Sequence, residues 1–525
     1  LGRLWSGKAL GLAAACNFGH ARRRLSMKRV LIANRGEISV RIARTLRELG
    51  LESVAVFTAE DRLALHTRSA DRAVQLRSPR GYLDAGHLIE VARAAGCDAL
   101  HPGYGFLSEN AEFAAACWTA GLCFVGPPPS AIAAMGSKQR ARARMAASGV
   151  PLIPGGDART LFEASATAQR VGYPVLVKAT DGGGGKGMRL VESEAELASA
   201  LERTRSEAKS AFGSDAVYIE KAIENARHVE IQVLGDQHGR LVSLFERDCS
   251  IQRRHQKVIE ETPCPVLSPE TLAKMAEVSL RGAAAIGYFS AGTFEFLLAP
   301  DGSFYFLEMN TRLQVEHPIT ELVTGLDLVK EMLSIAAGKP LSFEEVTRRG
   351  AAIEVRLYAE DPATGFLPSP GTISLLRPAS GPGVREDSGI FEGAQVSSNY
   401  DPLLAKLSVW GEDRSQALAR MQRALGEYAI GGIRTNLAFL ARILSHPEFS
   451  AGNYDIAFIA KHLAELVAEP PIDAETRWLL AAAAATAARV IDDLKLAARA
   501  TSGTSGTSAS EPSAWLRAQR SSLKW

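Results

Sequence analysis

Apolar and polar positions alternate along much of the chain, and the clearest stretch is Ala291–Asn310. Two alternating runs rich in Phe and Leu flank Asp301-Gly302, a pair suited to the left-handed backbone of a tight hairpin turn. A two-residue loop there sets Glu295 opposite Glu308 on one face, with Cβ atoms about 5 Å apart, where like charges repel. A one-residue bulge would undo that match. Elsewhere the period changes. Arg29–Asn34 reads as a short buried strand and Ser53–Phe57 as another. Between them Ile38, Ile42, Leu46 and Leu49 recur at helical spacing, with Gly50 as the stop. That strand–helix–strand opening predicts an α/β fold with a doubly wound parallel sheet at the N-terminus. No G-x-G-x-x-G follows the first strand, so a dinucleotide site is not supported.

Gly126-Pro-Pro-Pro129 closes the first region, and one helix carrying Met135 and Lys138 is expected after it. Tyr173–Thr180 and Met188–Val191 read as strands joined by Asp181-Gly-Gly-Gly-Gly-Lys-Gly187. A P-loop is the rival, but Lys186 precedes Gly187 rather than Ser or Thr, and no helix follows. Strand, glycine loop, strand describes a hairpin lid whose amides can approach phosphate oxygens. Further strands are expected at Val217–Ile223, at His228–Leu234 with His228, Glu230 and Gln232 on one face, and at Ala352–Pro362. An Ala-rich helix at about 474–500 leads into a Ser/Thr/Gly linker.

Charge sharpens this pattern at three places. Glu295 and Glu308, with the carbonyl oxygen of Asn310, form an all-oxygen set that suits a hard cation such as magnesium. Two solvated carboxylates on an outer face are the bland alternative, and Phe294, Phe296, Phe304 and Phe306 weigh against it. The strand is read as continuing, so that Arg312, Gln314 and Glu316 alternate outward along the same edge. Arg253, Arg254, His255 and Lys257 crowd one short run just before the hairpin, which reads as an anion site at least as well as a solvated face. Lys178, in an apolar run at the base of the lid, points to phosphate.

Length and composition add limits. The 525 residues allow two to four domains, and 46% hydrophobic with 22% charged residues is ordinary globular composition. Net charge of +2 makes no case for nucleic acid or an anionic membrane. The six cysteines have no C-x-x-C or zinc spacing and read as reduced thiols. No apolar run reaches membrane-spanning length. Residues 1–26 lack acidic residues and carry Arg22-Arg-Arg24, like a mitochondrial presequence, whereas Met27 stands just before the first strand. The cytoplasm is the favoured location and the mitochondrial matrix the alternative.

Phe306-Leu-Glu-Met-Asn-Thr-Arg-Leu-Gln-Val-Glu-His-Pro318 resembles the signature of biotin carboxylase, the ATP-grasp component of biotin-dependent carboxylases. Asn34-Arg-Gly-Glu37, His101–Asn110 and Val396–Lys406 resemble the same family, so matching motifs run from about Val30 to Phe458. The resemblance implies a segment 1–26, an N-terminal domain 27–136, an ATP-grasp domain 137–348 with its lid at about 150–222, a C-terminal domain 349–468 and a tail 469–525. The tail resembles the region leading to a carrier domain in acyl-CoA carboxylase α subunits of the methylcrotonyl- or propionyl-CoA type. The biotin attachment signature Ala/Val-Met-Lys-Met is missing.

The resemblance also implies roles. ATP contacts fall to Lys138, Lys178, Gly183, Gly184, Gly185, Glu220, Lys221, Ile223, His228, Gln252 and His255, with the backbone edge of Val217–Ile223 pairing with adenine. Magnesium or manganese falls to Glu295, Glu308 and Asn310. Bicarbonate and biotin fall to Lys257, Arg312, Gln314, Val315, Glu316 and Arg356. Among these Arg312 offers a bidentate fork, Glu316 a general base and Arg356 a fixed cation for the ureido enolate. The implied reaction carboxylates biotin borne by a carrier, through carboxyphosphate. Implied partners are a carrier in trans, a carboxyltransferase subunit and further copies of the chain. Another ATP-grasp ligase of carboxylate–amine or carbamoyl-phosphate type, or a non-catalytic nucleotide-binding subunit, stays open.

Overall fold

Short parallel strands open the molecule; the interior ones are rich in Val, Leu and Ala and largely buried, whereas the edge strand Arg72–Gln75 is mostly exposed. They are β1 (Arg29–Ile32), β2 (Glu52–Phe57), β3 (Arg72–Gln75), β4 (Ala99–His101) and β5 (Cys123–Phe124), in the order β3-β2-β1-β4-β5. The order turns back beside β1, and the loops leaving β1 and β4 open at that switch point. Helix Gly36–Glu48 follows β1 and buries Ile38, Ile42 and Leu46, as the helical spacing predicts. Leu49 departs from the prediction. It lies past the last turn and is exposed, ahead of Gly50 at φ +68°. The computed structural model describes residues 27–180 and 188–468, with Arg489 apart from these. The presequence-like segment, the lid glycines Gly183, Gly184 and Gly185, the Ala-rich helix and the linker lie outside the described residues.

One helix was expected around Met135 and Lys138; two are present, Pro129–Met135 and Lys138–Ala147. Gly136 and Ser137 break them, a weak helix former followed by a residue suited to a helix start. The break sets Lys138 in a first turn. Next comes a four-stranded sheet of β6 (Gly155–Asp157), β7 (Val175–Ala179), β8 (Met188–Val191) and β9 (Val217–Lys221), ordered β6-β9-β7-β8. Strand β9 is interior, with its backbone taken on both sides by β6 and β7. Of the stretch Val217–Ile223 expected to offer its backbone to adenine, only the end beyond Lys221 lies outside those two ladders.

The central sheet has eight antiparallel strands. They are β10 (Arg227–Gly235), β11 (Leu241–Arg253), β12 (Gln256–Thr262), β13 (Ser290–Leu298), β14 (Phe304–Asn310), β15 (Ala351–Tyr358), β16 (Val384–Ser388) and β17 (Leu403–Gly411). Their order is β14-β13-β10-β11-β12-β15-β17-β16, so pairing of β12 with β15 carries one sheet across position 348. Leu298 pairs with Phe304, which makes the hairpin loop longer than the expected Asp301-Gly302 pair. Phe296 pairs with Phe306 and Glu295 with Glu308, leaving Leu307 as an extra residue in a bulge. Loop and bulge offset each other, and the two carboxylates still face across the pair.

The strand does not run on past Asn310. Glu109 takes the Thr311 amide at 2.9 Å, and helix His317–Thr324 starts with Pro318 in its first turn. Residues 311–316 are therefore a loop rather than an alternating strand. No helix among the described residues is long and apolar enough to cross a membrane.

Candidate active site

Loops leaving β1 and β4, the lid sheet, the β10–β14 face and residues 311–316 enclose a cavity of about 1500 Å³. Glu295 stands on its floor, because its neighbours Phe294 and Phe296 turn to the core on the other face. Its Oε1 accepts from Lys257 Nζ at 2.9 Å, Asn310 Nδ2 at 2.7 Å and Gln314 Nε2 at 3.2 Å, while His228 Nε2 lies 2.9 Å from Oε2. Burial works to raise this carboxyl, but Lys257 and His228 outweigh it and hold it well below the usual range. Glu308 opens to the cavity, and burial followed by the charge of Glu295 pushes it upward, against the pull of Lys138. Unequal carboxyls facing each other leave surplus negative charge where a divalent cation would sit. Asn310 is turned the other way from expectation. Glu295 draws its amide hydrogens, and its Oδ1 accepts from Arg312 Nη2 at 3.0 Å.

Behind this edge lies a buried ionic network. Lys257 Nζ donates to Glu230 Oε2 at 2.6 Å and Glu316 Oε1 at 2.7 Å as well as to Glu295. Glu316 has no solvent exposure, and its Oε2 accepts from Arg356 Nη2 at 2.9 Å. Burial raises the Glu316 carboxyl, yet Lys257, Arg356 and Arg247 prevail and hold it well below its ordinary value. Arg356 Nε also donates to Glu260 Oε1 at 2.6 Å. Arg312 is gripped on three sides, by Glu109 Oε2 at 2.9 Å, Gln314 Oε1 at 3.0 Å and Asn310.

The nucleotide candidates divide. Lys178 Nζ donates to Glu220 Oε2 at 2.6 Å, and Arg142 takes the other oxygen at 2.5 Å. Gln252 sits 2.7 Å from His228 Nδ1. These residues line the cavity with Lys138. Lys221 and Ile223 are not among the lining residues, because the Lys221 ammonium turns to the Gly172 and Tyr173 carbonyls at 3.1 and 2.8 Å. The four basic residues Arg253, Arg254, His255 and Lys257 all line the cavity, from different positions. Arg253 pairs with Glu360 at 2.9 Å, Arg254 and His255 form an exposed turn with positive φ, and Lys257 points inward. An extended hairpin sends neighbours to opposite faces, which separates what sequence brings close.

The comparisons with known proteins agree along the whole of this framework. Residues 26–132 match the family described as biotin carboxylase, N-terminal domain, and residues 354–461 its C-terminal domain. Residues 137–344 match the ATP binding domain of the carbamoyl-phosphate synthase L chain. A biotin carboxylase of Halalkalibacterium halodurans is 48% identical over 443 residues, 83% of this chain and 98% of that protein. The chain belongs to the biotin carboxylase family. Mouse mitochondrial methylcrotonoyl-CoA carboxylase subunit alpha is also 48% identical, over 84% of this chain, which spans only 63% of that relative's length. Among solved structures, a Campylobacter jejuni biotin carboxylase complex superposes with TM-score 0.79 at 44% identity, covering 83% of this chain and 99% of that one. A biotin carboxylase domain of Hydrogenobacter thermophilus 2-oxoglutarate carboxylase, solved with MgADP and bicarbonate, gives 0.79 at 41% identity over 85% and 99%.

Several residues of this biotin carboxylase site escaped sequence reasoning. Arg142, Glu260 and the fully buried Arg247 all hold groups that were identified, while Glu109, in the loop His101–Asn110 for which sequence leaves a structural and a functional role equally open, holds Arg312. Arg247 donates to Gln232 Oε1 and Thr320 Oγ1, both at 2.8 Å, and to Glu230. The signal was present for it. Glu230 and Gln232 share a face of β10, and a buried carboxylate requires a cation on the next strand.

Proposed function

We propose that the chain carboxylates biotin at the expense of ATP and bicarbonate, the first half-reaction of an acyl-CoA carboxylase. The observation that carries this reading is the continuity of the Glu295–Glu308 edge with Lys257, Arg312 and Arg356 in one cavity, with Glu316 directly behind and bonded to Lys257 and Arg356. A ligase joining carboxylate to amine would use the edge but has no reason for that second group. The donor set fits magnesium or manganese, held by Glu295, Glu308 and Asn310 once the Asn310 amide turns its oxygen inward. Such an ion neutralises phosphate charge during transfer.

The residues then divide the work. Lys138 and Lys178 hold phosphates, with Glu220 keeping Lys178 in place. Arg312 presents its fork to bicarbonate, beside Gln314 and the backbone of Val315. Glu316 is ionised at neutral pH and accepts the bicarbonate proton. The charge that builds on bicarbonate draws Lys257 and Arg312, and the basicity of Glu316 rises as its cations are shared. Bicarbonate oxygen then attacks the ATP γ-phosphorus, ADP leaves, and carboxyphosphate breaks down to CO2 and phosphate. The phosphate released with CO2 takes the proton of the ureido N–H, Arg356 faces the ureido oxygen on which charge then builds, and the deprotonated nitrogen captures CO2.

The biotin is carried on a separate domain or protein, and a carboxyltransferase subunit passes the carboxyl to acyl-CoA. Self-association and a cytoplasmic location complete the proposal, with the mitochondrial matrix as the second location. ATP cleavage is measured with and without bicarbonate and free biotin. Cleavage that requires bicarbonate and rises with biotin is expected; cleavage that requires an amine instead would replace this reading with the rival ligase.

A further inference from the structure

Lys406 is a fully buried lysine in the C-terminal part of the central sheet, and the reaction steps make no use of it. Its Nζ donates to the Val315 carbonyl at 2.8 Å, lies 3.3 Å from Glu37 Oε2 and 3.8 Å from Asp387 Oδ2. Glu37 stands in the first turn of helix Gly36–Glu48, in the N-terminal domain, and its other oxygen accepts from the Tyr104 hydroxyl. A charge taken wholly out of water costs several kcal/mol unless its partners return it. A leucine would fill the same space without that cost. What leucine lacks is a donor for Val315 and a charge for Glu37.

Val315 lies between Gln314 and Glu316 in the irregular segment 311–316, which has no strand ladder to hold it. The segment is tied instead at points. Glu109 takes Thr311, His317 Nδ1 meets the Gln314 carbonyl at 2.8 Å, and Lys406 takes Val315. The orientation of the Val315 peptide decides where the Gln314 amide and the Glu316 carboxylate begin.

We propose that Lys406 is a positioning residue for the 312–316 loop and that Glu37 anchors it, so that the N- and C-terminal domains jointly set the bicarbonate edge of the site. The inference deepens the proposed function and rests on it for the chemistry of that loop. Asp387 alone, farther away, does not replace Glu37. Burial pushes the Glu37 carboxyl up to about 7 in spite of Lys406. The other groups facing it are Asp387, which raises it further, Arg385, which lowers it, and Tyr104. His317, buried behind Lys406, is held well below its usual value by burial and then by that lysine, so it adds no charge. Glu37 therefore takes up a proton as pH falls through about 7, and the anchor weakens on the acid side.

The test uses the full chain with Lys406→Met and Glu37→Gln. Losing a hydrogen bond from a charged group corresponds to about tenfold or more in binding. Lys406→Met should raise KM for bicarbonate by about that factor and leave KM for ATP nearly unchanged. In the wild type, KM for bicarbonate, corrected for its own ionisation, should rise below about pH 7; in Glu37→Gln it should be high throughout, without that inflection. Hydrogen exchange across residues 311–317 reads the clamp without turnover, so loss of the proposed activity would not be mistaken for loss of the clamp. Faster exchange there in both variants, with the rest of the chain unchanged, supports it. Unchanged exchange in that segment, or a Glu37→Gln profile that superimposes on the wild type, overturns it. If Lys406→Met does not fold, Glu37→Gln decides alone.

Discussion

Lys257 concentrates the physics of this site in one atom, since its Nζ meets Glu230, Glu295 and Glu316 together. Burial lowers its affinity for a proton, yet the three carboxylates raise it well above the ordinary value. Lys257→Met would leave those carboxylates without that cation, and breaking a buried pair from one side costs about 3–5 kcal/mol. A large fall in melting temperature is expected, beyond any effect on catalysis; calorimetry of the variant checks it. Glu308 makes the opposite case, as its carboxyl is raised by burial and by Glu295. A raised carboxyl holds its proton to higher pH, so metal should bind less tightly as pH falls from neutral. Glu295, held low, contributes no loss over that range. Titration of manganese at several pH values should show this dependence in the wild type. Glu308→Gln should remove it, and Glu295→Gln and Glu308→Gln should each lower turnover by at least about tenfold. An unchanged metal dependence in both variants would count against the cation site.

At the scale of elements the hairpin β13–β14 shows what alternation conveys and what it hides. The facing of Glu295 and Glu308 is legible from the alternating Phe residues and the Asp301-Gly302 turn, but a loop of those two residues alone is too short. Leu307, the extra residue of the bulge, compensates. Nothing marks a bulge at Leu307 in sequence, because an apolar residue between aromatic ones continues either pattern. Deleting Leu307 should leave a regular hairpin in which Phe306 still faces Phe296 and Glu308 still faces Glu295, since only the unpaired residue is removed. Metal-dependent ATP cleavage should therefore persist, with circular dichroism close to the wild type. Loss of metal-dependent cleavage would mean that the bend of the bulge, and not the pairing alone, aims Glu308 at the site. The 311–316 loop was misread for a related reason. Arg312, Gln314 and Glu316 do alternate, but Glu109 ends the strand from 202 residues away in sequence, and contacts that distant leave no local trace.

The whole molecule turns on the continuity of the central sheet through position 348. Motif spacing suggests a division there, and the family descriptions also change between residues 344 and 354. Physically the two sides share a ladder, in which Ile259, Glu260, Glu261 and Thr262 pair with Val355, Glu354, Ile353 and Ala352. They share a core as well. Ile251, Val258 and Ile259 pack in one cluster with Val355, Leu407 and Phe439. Arg356, expected in one domain, bonds Glu260 and Glu316, expected in the other. Hydrophobic patterning shows that each strand is buried without showing which strand buries it, so this union was not legible. A chain of residues 27–348 would therefore expose the backbone edge of β12 together with an apolar face, the combination that drives strand-to-strand aggregation. It would also leave Glu260 and Glu316 without Arg356. The fragment should aggregate, whereas residues 27–468 should remain monodisperse and bind ATP. Size-exclusion chromatography and nucleotide titration of both separate the alternatives. A soluble 27–348 fragment with a cooperative melting transition would show that the ATP-grasp part completes its own core, and that the shared sheet is a docking contact rather than a condition for folding.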